Sequence, residues 1–75
     1  VSDLAQLKIG SSGRVQVVEG DDEVSLRLLE MGITPGVEVA VVGAAPLGDP
    51  LELELRGYRL SVRRSEAARV RVEVL

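Results

Sequence analysis

The stretch Leu51-Glu52-Leu53-Glu54-Leu55-Arg56-Gly57-Tyr58-Arg59-Leu60-Ser61-Val62 decides the fold class. Apolar and polar residues alternate on both sides of Arg56-Gly57, and a period of two sends successive side chains to opposite faces of a strand. With Arg56-Gly57 as a two-residue hairpin loop, antiparallel pairing sets Leu55 against Tyr58, Glu54 against Arg59, Leu53 against Leu60 and Leu51 against Val62. Every pair then agrees in character, inward apolar with apolar and outward acid with base. A slip of one residue would set Leu55 against Arg59 and Glu54 against Leu60, so one register is selected. The Glu54/Arg59 pair faces solvent in this arrangement and fixes register more than it stabilises, at roughly 0.2–1 kcal/mol. Tyr58 is expected to point inward with the leucines.

The same alternation recurs at Val15 and Val17, at Val37, Val39 and Val41, and at Val70, Val72 and Val74. Short alternating runs bounded by turns predict an all-β chain, a small barrel of about five strands whose closure hides its edges. One segment breaks the pattern and reads as one short α-helix between Asp21 and Gly32. Asp21-Asp22-Glu23 offers a cap and favourable charge at its amino end, and Gly32 can end it in a left-handed conformation. Val24, Leu28 and Met31 share one helical stripe, which caps the barrel. Leu26 and Leu29, with Ile33 just past the helix end, fall nearly opposite and need another partner. Leu4 and Leu7 are expected to dock on the barrel from a short lead-in, Ala44–Pro50 to form an ordered turn-rich loop, and Arg63–Ala68 to make one helical turn.

The chain has 75 residues, nine Lys+Arg and twelve Asp+Glu, and a formal charge of −3. That length accommodates one domain, expected to span residues 1–75. Cysteine and histidine are both absent, which removes disulfides, thiol catalysis, the usual general base near neutral pH and the usual ligands for zinc or ferrous iron. The chain is therefore expected not to be an enzyme. Acidity and a single aromatic residue, Tyr58, argue against nucleic acid as a partner. No apolar run approaches the roughly 18 residues of a membrane span, and the amino terminus lacks a basic start followed by an apolar stretch. A cytoplasmic location without membrane insertion is expected. Val at position 1 suggests a domain cut from a longer protein.

Gly10-Ser11-Ser12-Gly13 lacks the lysine and following helix of a phosphate loop and reads as a polar turn. Glu19, Asp21, Asp22 and Glu23 are the candidate ligands for a weakly held divalent metal, the one cofactor the residues leave open. Their spacing matches no calcium loop, and a helix start accounts for them electrostatically. Met31 sits at core spacing, where a lone thioether packs rather than ligates. Arg63, Arg64, Arg69 and Arg71 read as a solvated face interleaved with Glu52, Glu54 and Glu73. A proline-rich peptide would need an aromatic groove that one tyrosine does not build.

The run Leu28-Leu29-Glu30-Met31-Gly32-Ile33-Thr34-Pro35-Gly36, then Val37-x-Val39, then Ala45-Pro46-x-Gly48-Asp49-Pro50, then Gly57-x-x-Leu60-x-Val62-Arg63 with Glu66-Ala67 and Val70-x-Val72, resembles the ferrous iron transport protein A (FeoA) family. The resemblance runs from Leu4-x-x-Leu7-x-x-Gly10 to Val74. It implies an SH3-like β-barrel in the cytosol that accompanies bacterial ferrous iron uptake and acts on the cytosolic GTP-binding region of the transporter FeoB. Similar barrels occur as the carboxyl-terminal domain of iron- or manganese-dependent transcriptional repressors, which is the first alternative. The family's label of transition-metal binding gives the second, a carboxylate-based metal-binding protein.

A barrel without catalytic groups influences a transporter by binding it, which needs an apolar anchor with a polar rim. The expected partner-binding residues are Leu26, Leu29 and Ile33, rimmed by Arg27 and Glu30. Self-association through this stripe is the other use it could serve. The competing expectation is that the Ala44–Pro50 loop or the lead-in leucines cover it.

Overall fold

The computed structural model describes residues 2–75, so Val1 of the expected 1–75 domain lies outside the described part. The strands are β1 (Ser2–Asp3), β2 (Ser12–Val18), β3 (Glu38–Ala44), β4 (Leu51–Leu55), β5 (Tyr58–Val62) and β6 (Val70–Val74). They form one antiparallel sheet in the order β1-β6-β2-β3-β4-β5. Helix α1 (Glu23–Glu30) joins β2 to β3, α2 (Arg64–Ala67) joins β5 to β6, and a 3₁₀ turn covers Leu4–Gln6. The chain is thus mostly β, as the alternation predicts, but with six strands rather than about five. The additional strand is β1, two residues that pair with Val72 and Arg71 and are too short to carry any periodicity. A second helix, α2, occupies the turn foreseen at Arg63–Ala68.

The hairpin register is the one read from the sequence: Leu51 opposes Val62, Leu53 opposes Leu60, Glu54 opposes Arg59 and Leu55 opposes Tyr58. Arg56 and Gly57 have φ of 51° and 83°, the paired positive angles of a two-residue loop whose twist matches its strands. Arg59 Nε lies 3.6 Å from Glu54 Oε2 on the solvent side.

The core collects Leu4, Leu28, Ile33, Leu51, Leu53 and Leu55 with the inward valines of β2, β3, β5 and β6. Leu4 and Leu7 dock into it from the lead-in as expected. Three inward assignments fail, those of Val17, Tyr58 and Val74, the last 54% exposed at the end of β6. The β2–β6 pairing shifts register between Val15 and Val17, so Val15 is buried, Val17 is exposed and Val18 packs on the core instead. A bulge of this kind cannot be read from alternation, because it interrupts the period without changing residue type. Tyr58, expected inward, is 41% exposed. It begins the edge strand β5 beside the hairpin turn, and its hydroxyl donates to the Met31 carbonyl.

The glycines of Gly10–Gly13 serve packing and turning. A Cβ at Gly13 would stand 2.9 Å from Val72 Cβ and 3.2 Å from Leu7 Cδ1, so β2 admits β6 and the lead-in at that point only because the side chain is missing.

Candidate functional site

The candidate site is built on α1. Asp22 is its N-cap: Oδ1 accepts the Ser25 backbone N–H at 3.3 Å, while Ser25 Oγ donates to the Asp22 carbonyl at 3.0 Å. The same Oδ1 accepts from Arg69 Nη1 at 2.6 Å. The Arg69 hydrogen bond first, and the Ser25 N–H second, hold the Asp22 carboxyl below the usual carboxylate range, and Asp22 in turn raises the Arg69 guanidinium. A Cβ at Gly20 would lie 2.7 Å from Arg69 Nη1, so the close approach of the arginine needs a glycine there.

The carboxyl end of α1 explains the main correction to the sequence reading. Met31 is the C-cap, the Gly32 N–H donates to the Leu29 carbonyl at 3.0 Å and the Ile33 N–H to the Leu28 carbonyl at 3.1 Å. With Gly32 at φ 97°, this is the Schellman arrangement, in which the residue after the glycine folds back against the last turn of the helix. Ile33 is therefore carried to the Leu28 side and is 0% exposed. The expectation that it joins Leu26 and Leu29 in an exposed anchor is overturned: the turn reverses the chain before Ile33, so helical spacing no longer applies to it.

Leu26 and Leu29 do lie at the surface, 56% and 37% exposed. Neither the 44–50 loop nor the lead-in leucines seal them off. They line an open, mainly apolar cleft of about 550 Å³ with Gly20, Asp21, Asp22, Glu23 and Ser25. The rim of this cleft is the acidic run at the start of α1, not the expected pair Arg27 and Glu30. Arg27 is drawn to the other flank of α1, where Nη2 pairs with Glu66 Oε2 of α2; Glu30 is exposed and lines none of this cleft. Helical spacing placed the leucines, but the direction of Arg27 depends on α2, which is distant in sequence.

The four acidic candidates do not converge. Glu19 Oε2 pairs with Arg71 Nε at 3.1 Å, Asp22 is held by Ser25 and Arg69, and among the described residues no group of three His, Cys, Asp or Glu could hold a metal ion. The arginine cluster is likewise dispersed. Arg69 and Arg71 pair with Asp22 and Glu19, and Arg64 is spent on the loop between β3 and β4 and on the 3₁₀ turn. Its backbone N–H donates to Asp49 Oδ1 at 3.0 Å, its Nε to the Gly48 carbonyl and its Nη1 to the Ala5 carbonyl at 3.1 Å. That loop carries the residue the sequence reading missed: Leu47 is 97% exposed at its tip. The signal was present in Pro46-Leu47-Gly48, since a leucine between proline and glycine in a tight turn has no strand or helix to turn it inward.

No helix among the described residues is long and apolar enough to cross a membrane. The FeoA domain family matches residues 3–74. The chain is 38% identical over 72 residues to the Fe(2+) transport protein A/Fe(2+) transporter FeoB fusion protein of Porphyromonas gingivalis, covering 96% of this chain but 8% of that protein. Among solved structures it is similar to the FeoA-like protein of Clostridium acetobutylicum, with a TM-score of 0.92 at 42% identity over 99% of this chain and 86% of that one. It is also similar to Stenotrophomonas maltophilia FeoA, an SH3-domain protein solved with zinc, with a TM-score of 0.79 at 34% identity over 97% of this chain and 91% of that one. A six-stranded antiparallel sheet with an SH3-like course, matched over nearly its whole length at these identities, places this chain in the FeoA domain family.

Proposed function

We propose that this chain is a non-enzymatic accessory of bacterial ferrous iron uptake, a cytoplasmic SH3-like barrel that acts by docking on the cytosolic GTP-binding region of a FeoB transporter. The observation that carries this reading is the exposed pair Leu26 and Leu29 beside an apolar cleft with an acidic rim. A chain without His or Cys offers its partner a surface rather than a reactive group. The Porphyromonas gingivalis relative supports the choice of partner, because it holds a transport protein A and a FeoB transporter in one polypeptide. Such a tether raises the effective concentration of one part for the other, an advantage only where the two engage.

Metal binding is the weaker reading for this chain, although one relative was solved with zinc. Glu19 and Asp22 face arginines and the remaining acids do not converge on a point, so the residues present do not fit a transition-metal site.

The deciding experiment is capture of the transporter's isolated cytosolic domain by this chain, with and without guanine nucleotide. Capture by the wild type that is lost with Leu26→Ser and Leu29→Ser together supports the reading. No capture in any nucleotide state, or undiminished capture by the double variant, overturns it. Micromolar 1:1 binding of ferrous ion in calorimetry would instead favour the metal reading, and a helix-turn-helix sequence upstream in the reading frame would favour the repressor domain.

A further inference from the structure

The two ends of the sheet differ in what they leave open. At one end β1 is two residues long. At the other, β5 runs five residues from Tyr58 to Val62, pairs only with β4 and contains neither a proline nor a register shift. Across the Arg56-Gly57 loop, Leu55 and Tyr58 form the backbone-bonded pair of a two-residue hairpin, and bonded and non-bonded pairs alternate from there. Tyr58, Leu60 and Val62 therefore direct their N–H and C=O groups to β4, while Arg59 and Ser61 direct theirs away from the sheet. Among the described residues no loop, helix or side chain takes up those outward groups. Both residues are exposed. An open edge of this length is a template for a further strand.

The side chains along the edge select what it admits. Arg59 and Ser61 lie on the solvent side of the sheet, and Arg63, still extended at φ −63° and ψ 145°, continues their alternation. Arg56 in the turn is exposed too, and neither it nor Arg63 enters an ion pair among the described residues. Arg59 meets Glu54 only at 3.6 Å. In a chain of formal charge −3, arginines along one exposed strand and at both its ends reverse the local sign. On the other side of the strand, Tyr58 is 41% exposed and Leu60 is partly buried against the core, which leaves a shallow apolar shelf. Pairing with the β5 of a second copy would bring the arginines of both edges together, and like charges across a strand pair are destabilising.

We propose that the open edge of β5 receives an extended segment of a partner protein as an added antiparallel strand, one in which acidic residues alternate with apolar ones. Acids opposite Arg59 and Ser61 lie on the arginine side and exchange both backbone hydrogen bonds with those residues. Apolar residues opposite Tyr58 and Leu60 lie over the shelf. Main-chain bonds supply the attachment, and the alternation supplies the choice of segment. The same arginines reject a basic strand, so specificity comes from repulsion as well as attraction. This edge shares no residue with the Leu26/Leu29 cleft, and the proposal does not rest on which transporter the chain serves.

The test is a titration of the ¹⁵N-labelled chain with a capped peptide of about seven residues in which valine and glutamate alternate, long enough to span one strand. The Arg59 and Ser61 amides should move along one isotherm, and at saturation their exchange with solvent should slow by about tenfold or more. The peptide N-methylated at its glutamates should not bind, because those N–H groups face β5, whereas N-methylation at its valines should leave binding in place. A peptide with lysine for glutamate should not bind either. Arg59→Glu should weaken binding by about tenfold or more, and Ser61→Pro, which removes an outward donor and keeps the β4 ladder, should abolish it. The methylated peptides decide the matter without a variant if Ser61→Pro fails to fold. No shift at Arg59 and Ser61 up to about 1 mM peptide, equal binding of the lysine peptide, or indifference to glutamate methylation would overturn the proposal. So would the same shifts on concentrating the chain alone, or shifts confined to the Leu26/Leu29 cleft. Leu26→Ser should leave peptide affinity unchanged, so that failure of transporter-domain capture and failure of this proposal are read separately.

Discussion

Asp22 Oδ1 accepts two donors at once, the Ser25 backbone N–H at 3.3 Å and Arg69 Nη1 at 2.6 Å. One carboxylate thereby caps α1 and ties it to the turn between α2 and β6.

That double duty sets a pH dependence. The folded state holds Asp22 below its ordinary value of 3.8 through the Arg69 hydrogen bond and then the Ser25 N–H. A depressed folded value means that the unfolded chain takes up the proton first. The contribution of Asp22 is therefore fully present above the unfolded carboxylate range and is lost as pH falls through the folded value. Asp22→Asn should lower the urea midpoint at pH 7, with the gap to wild type closing as pH drops below the ordinary carboxylate range. A gap of constant size down to pH 3 would show that charge plays no part.

Ile33 and the pair Leu26/Leu29 should respond oppositely to truncation. Ile33 is fully buried in the core, so Ile33→Ala should destabilise by about 2–5 kcal/mol through lost burial and the cavity left behind. Leu26→Ser with Leu29→Ser should stay within about 1 kcal/mol of wild type, as surface changes do. Denaturant melts of the two variants side by side measure the contrast, and a large loss in the double variant would place those leucines in the core.

Gly32 and Tyr58 should be coupled. A Cβ at Gly32 would press on the Tyr58 hydroxyl, and φ is +97° there, so Gly32→Ala meets both steric crowding and left-handed strain, together costing about 1–3 kcal/mol. In a Tyr58→Phe background the strain remains and the crowding is relieved. The cost of Gly32→Ala should then shrink by about 0.5 kcal/mol or more, the scale of coupling between touching residues. Additive effects in the double-mutant cycle would refute the contact.

Two strand glycines should separate in sign. Gly13→Ala inserts a methyl group against Val72 and Leu7 and should destabilise by about 1–3 kcal/mol through overpacking. At Gly43 the nearest atoms to an added Cβ are Glu52 Cβ at 3.8 Å and Cγ at 3.9 Å, and φ is not in the left-handed region. Gly43→Ala should therefore be neutral or stabilise by up to about 1 kcal/mol through reduced freedom of the unfolded chain. Thermal melts of both variants decide the matter.

Local patterns by themselves determined the β character, the hairpin register from Leu51 to Val62, a cap within Asp21-Asp22-Glu23, the glycine stop at Gly32 and the docking of Leu4 and Leu7. Each depends on neighbours a few residues away or on a period of two or 3.6, and such patterns survive in the linear chain. Only the tertiary structure decided the burial of Ile33, the exposure of Tyr58, the outward turn of Val17 and the partners of Arg27, Arg64 and Arg69. In each of these the outcome depends on something that residue type does not encode: a chain reversal after the helix, an edge strand, a bulge, or a hydrogen-bond or ion-pair partner 15 to 59 residues away. The cleft shows both sources at once. Helical spacing placed Leu26 and Leu29 on one face, but the turning of Arg27 away from the cleft was set by where Glu66 of α2 came to rest.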